Sequence, residues 1–106
     1  MDGALNYANI RPYAVPGSLE ELAGPAGGVV VLPGWLDWSP RRSYDLSDRD
    51  SLRVMYEQVI QEGREQDLQR YLNAELLVSV WPDLILPVRV RRMWEAKIAR
   101  LRGRAA

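Results

Sequence analysis

Few residues in this chain can do chemistry, and two of the usual kinds are missing. Its 106 residues include no histidine and no cysteine. Those side chains supply most neutral-pH bases, thiolate nucleophiles and transition-metal ligands. The serines therefore lack the imidazole that ordinarily activates a hydroxyl. Lys97 is the single lysine. What remains is a set of carboxylates, Asp37, Asp45, Asp48 and Asp50. The last three suggest a metal site or a nucleotidyl-transfer pair. Yet no EF-hand glycine and no distal glutamate stand at the spacing a calcium loop needs. Capping of a helix that begins near residue 48 accounts for them better. The residue types point away from an enzyme and toward a surface that binds. No catalytic residue, cofactor site or metal site is expected.

The residues suited to binding fall in two groups. Trp35, Trp38 and Tyr44, with Tyr7 and Tyr13 upstream, form an aromatic load in a chain that has no phenylalanine. They either cover the core or anchor an interface, where Trp, Tyr and Arg dominate the binding energy. Tyr7, Arg11 and Tyr13 lie in a segment with little capacity to fold alone, which favours the interface reading for them. With Trp35, Trp38 and the acids Asp48, Asp50 and Glu57 they make the candidate partner-binding set. Arg89, Arg92 and Arg100 make the other group. They share one face of the last helix and are candidates for contact with nucleic-acid phosphate. A solvated face, or pairing with the acidic middle of the chain, explains them better, and an acidic protein partner is the next reading.

A net charge of zero conceals strong polarisation. Residues 1–44 carry −1, residues 45–83 carry −5 and residues 84–106 carry +6. The acidic block (Asp45, Asp48, Asp50, Glu57, Glu62, Glu65 and Asp67) suits a basic groove on a partner.

The elements that must position these groups follow from punctuation and periodicity. Five prolines, from Pro12 to Pro40, exclude long helices before residue 44. One short helix is expected there, capped by Ser18 with Glu21 reaching back and Leu19 and Leu22 inward. Gly28 to Leu32 reads as a buried strand, paired with a second around Arg42 to Leu46. From Ser47 the period becomes helical. Leu52, Met55, Tyr56, Val59 and Ile60 form an apolar stripe, and Gly63 stands where a left-handed cap belongs. A second helix is expected over Glu65 to Leu72. A third is capped by Asn73 and carries Leu76, Leu77, Val80 and Trp81, and Pro82 ends it. Leu84, Ile85 and Leu86 form an extended link. Pro87 opens a last helix whose Val90, Trp94, Ile98 and Leu101 face the core, with Arg91 and Arg102 flanking that stripe.

The expected fold is mainly α, with about four helices in a small C-terminal bundle. An extended Pro/Gly-rich arm with a short β-hairpin precedes it. The division is an arm at 1–44, a helical domain at 45–102 and a frayed tail at 103–106. No signal-peptide pattern stands at the N-terminus, and the longest apolar run is too short to cross a bilayer. A cytoplasmic protein with no membrane partner is expected.

One run of residues carries a family resemblance. It comprises Tyr44-Asp45-Leu46, Leu52, Met55-Tyr56, Val59-Ile60, Glu62-Gly63, Tyr71-Leu72-Asn73, Leu76-Leu77, Trp81-Pro82, Leu84, Leu86-Pro87, and Arg91-Arg92 with Trp94-Glu95. Over about residues 44–95 the chain resembles small actinobacterial proteins encoded beside AbiEii-type (MenT-like) nucleotidyltransferase toxins and assigned as their antitoxins. The resemblance implies a protein that neutralises a toxin by direct contact, and it implies no enzymatic activity. The alternatives are a DNA-binding regulator that uses the arginine-rich last helix, and a small structural domain that self-associates. A helix-turn-helix over 65–81 and 87–102 is disfavoured. Leu84 to Pro87 is a poor turn, and no Asn, Gln or Ser set opens the last helix to read base edges.

Overall fold

The computed structural model describes residues 13–37 and 43–102. Four helices of seven residues or more follow a short two-stranded antiparallel hairpin, so the chain is mainly helical as its periodicity implies. Strand β1 (Val29–Val31) pairs with β2 (Ser43–Asp45) in the register Val29–Asp45, Val30–Tyr44 and Val31–Ser43. The alternation is strict. Val30 and Tyr44 are buried, while both neighbours of each are exposed.

Helix α1 (Arg49–Glu62) starts where Asp48 accepts the Ser51 N–H at 3.1 Å, the usual service of an N-cap carboxylate. Its stripe of Leu52, Met55, Tyr56, Val59 and Ile60 is buried throughout. The end of α1 departs from expectation. Gly63 has φ −81° and is not left-handed. A Cβ there would lie 2.6 Å from the Val59 carbonyl oxygen, so glycine is required by close approach rather than by φ.

Helix α2 (Glu65–Tyr71) opens with the Arg64 N–H donating to Asp67 Oδ2 at 2.8 Å. Helix α3 (Ala74–Val80) opens with Asn73, whose side chain accepts the Leu76 N–H at 3.1 Å. Tyr56 of α1 reaches this corner, and its hydroxyl accepts the Asn73 N–H at 2.9 Å. Burial raises that hydroxyl from its ordinary 10.0 to about 12, against the lowering effect of the Asn73 bond.

The N-terminal segment is clipped onto the same corner. Ala23 donates to Gln69 O at 2.9 Å and Gly24 to Leu72 O at 2.8 Å. A Cβ on Gly24 would meet the Tyr71–Leu72 backbone at 2.5 Å. The expected short helix is a 3-10 turn at Leu19–Glu21, and Ser18 makes no side-chain cap. Glu21 does reach back, but to the Gly17 N–H at 3.1 Å rather than to Ser18.

The last helix is two pieces, α4 (Val88–Lys97) and α5 (Ala99–Arg102), with Ile98 extended between them. The Glu95 carbonyl would accept from residue 99 in a continuous helix. Instead Arg102 Nη1 donates to it at 2.7 Å, so the break leaves that acceptor satisfied.

One core joins the parts expected as arm and helical domain. Leu19, Leu22, Val30, Leu32 and Leu36 pack in the same buried cluster as Met55, Leu68, Leu77, Trp81 and Trp94. The expected boundary at residue 44 falls inside β2. No helix among the described residues is long and apolar enough to cross a membrane.

Candidate functional site

The carboxylates are used locally. Asp45 accepts both the Ser47 N–H at 2.9 Å and the Ser47 hydroxyl at 2.7 Å. Those bonds, the hydroxyl's first, hold its pKa below the ordinary value. Asp48 caps α1, and Asp50 sits exposed in its first turn, where the helix dipole favours an acid. Asp37 is buried and accepts the Tyr44 hydroxyl. Among the described residues no three metal-binding side chains come together.

Two acids expected on an outward acidic face turn inward. Glu57 is held by Arg53 at 2.8 Å and accepts the Ile85 N–H at 2.7 Å, which pins the link between α3 and α4. Asp67 is buried at the start of α2. The acidic block is therefore not one continuous surface.

The arginine group also divides. Arg89 and Arg92 are exposed on α4, whereas Arg100 lies beyond the break at Ile98 and approaches Glu75 at 3.7 Å. Arg91, expected merely to flank the stripe, has a central structural role. Its guanidinium stacks 4.9 Å over the Trp81 ring and donates to the carbonyls of Trp81 and Leu84. Trp81 in turn donates Nε1 to Glu95 at 2.9 Å and packs 5.8 Å from Trp94. Trp94 is fully buried, and its Nε1 has no hydrogen-bond partner among the described residues.

The aromatic group is where the structure leaves an anchor on the surface. Trp35 is 63% exposed. Its position is fixed rather than loose. Leu36 and Asp37 both donate backbone N–H groups to Pro33 O, at 3.0 and 3.1 Å, and both side chains are buried. Gln58 of α1 donates to Leu36 O at 2.9 Å. A turn tied down on both sides thus holds an indole in solvent. Trp35, Arg64 and Gln66 line one open cleft of about 390 Å³. Arg64 is 29 residues away in sequence, so nothing in the local pattern announced this pairing.

Of the other residues in the expected partner-binding set, Tyr13 is half-buried against the core. Tyr7, Arg11 and Trp38 lie outside the described residues. Compared with protein-family models, curated proteins and solved structures, the chain matches none.

Proposed function

We propose that this chain is a non-catalytic protein-binding module that acts in the cytoplasm as an antitoxin, neutralising a nucleotidyltransferase-type toxin by direct contact. The observation that carries the binding part is Trp35. A tryptophan held largely in water by a rigid turn, beside an arginine and an amide, has the composition of an interface hot spot. The antitoxin part comes from the resemblance. Many of the residues behind it (Leu46, Leu52, Met55, Tyr56, Val59, Ile60, Leu72, Leu77, Trp81, Trp94) are buried. They support a shared scaffold, so the contact surface has to be sought outside them, and Trp35 lies outside them. Exposed Asp48 and Asp50 add acid for a basic toxin groove.

The DNA-binding alternative retains Arg89 and Arg92 but no longer gathers Arg100 with them. Co-expression with an AbiEii-type nucleotidyltransferase toxin is the test. Relief of growth arrest together with co-purification is expected. Unrelieved arrest with no co-purification ends the antitoxin reading.

A further inference from the structure

The two edges of the hairpin differ in a way that the partner cleft does not explain. The Leu46 N–H donates to Gly28 O at 2.9 Å, which sets the phase of the ladder. Given the register, Val30 directs its N–H and C=O at β2, while Val29 and Val31 direct theirs away from it. Edge strands are normally blunted by charge, proline or a bulge. The far edge of β2 has such a guard in the exposed carboxylate of Asp45. The far edge of β1 has no charge, proline or bulge, and only its three-residue length limits it. Its three residues are all valine, and Val29 and Val31 are 64% and 66% exposed.

We propose that β1 pairs antiparallel with β1 of a second copy of this chain, about a two-fold axis at Val30. The strand is self-complementary there. Val29 meets Val31 of the other copy and Val31 meets Val29, and these are the residues whose backbone groups point outward. Four ladder bonds form, and a four-stranded sheet in the order β2-β1-β1-β2 results. Charge permits the pairing. Each outward row reads Asp45, Val29, Val31, Ser43 across the two copies, so the acids sit at opposite corners. The chain's net charge of zero adds no long-range repulsion. A three-residue ladder covers less than the ~1,200 Å² at the lower end of stable interfaces, so the dimer is a concentration-dependent equilibrium.

Sedimentation velocity and amide NMR spectra of the purified chain, from about 10 µM to about 1 mM, test this in the range of a weak interface. The expected result is a mass rising toward that of two chains, with concentration-dependent shifts centred on the Val29 and Val31 amides. Val31→Pro removes an outward N–H that the pairing with β2 does not use, and edge strands tolerate proline. Val31→Asp places a second acid in the row. Both variants are expected to stay monomeric, while Ile85→Asp, at an equally exposed apolar site outside the hairpin, associates like the parent. A parent chain that stays monomeric throughout overturns the proposal. So does association that survives both Val31 variants, or shifts centred away from β1. A toxin complex that forms while the free chain stays monomeric would leave the antitoxin reading standing and this inference refuted.

Discussion

Two tryptophan sites in this molecule put the same residue types to opposite uses. At the corner between α3 and α4, Trp81 and Trp94 are buried against each other with their rings tilted by 32°, and Arg91 lies over one ring with its donors on backbone carbonyls. At the turn after β1, Trp35 stands in solvent with Arg64 and Gln66 lining the same cleft. The first site directs its polar groups inward and closes the link between two helices. The second leaves indole, guanidinium and amide facing outward, although the turn beneath is tied by three hydrogen bonds. An aromatic–arginine pair in a sequence therefore does not by itself separate scaffold from interface. What separates them is whether the neighbouring carbonyls need the arginine.

The comparison can be broken most forcefully at the buried end. Trp81→Ala is expected to destabilise the fold by about 3–5 kcal/mol, read from chemical denaturation. A loss below about 1 kcal/mol would mean that the corner is not the keystone described here.

The next effect concerns Tyr56 of α1, whose hydroxyl braces the start of α3. Its folded pKa is raised, so the neutral hydroxyl contributes stability that is fully present below the ordinary value of 10.0 and lost as pH rises through about 12. Across that window the parent should lose about 2–3 kcal/mol more than Tyr56→Phe does. Parallel pH profiles for the two proteins would contradict this.

A matched pair of arginine variants sharpens the contrast. Arg91→Ala removes donors from buried carbonyls and should cost about 1.5–3 kcal/mol. Arg64→Ala removes an exposed side chain and should shift stability by less than about 0.5 kcal/mol. Equal losses would erase the distinction between the sites.

The scaffold was more legible in the sequence than the site, for physical reasons. The stripe from Leu52 to Ile60, the caps at Asp48 and Asn73 and the β-branched run at Val29 to Val31 are local patterns, and local patterns write themselves into neighbouring residues. The break at Ile98 was hidden because it depends on Arg102 reaching the Glu95 carbonyl across the gap. Glu57 looked like one more surface acid because its partner, the Ile85 N–H, lies 28 residues on. Gly63 ends its helix where the pattern expects an end, but not through a left-handed φ. The constraint is the Val59 carbonyl, which only the folded backbone brings near. Trp35 was visible as a candidate, yet its exposure follows from Leu36 and Asp37 being pulled inward, and periodicity does not record that.

The most direct measurement is the affinity of Trp35→Ala for a nucleotidyltransferase-type toxin, taken beside its thermal unfolding. The account predicts binding weakened at least about 30-fold, the effect of losing a hot spot of about 2 kcal/mol, with stability changed by less than about 0.5 kcal/mol. Undiminished binding, or a loss matched by an equal fall in stability, would contradict it.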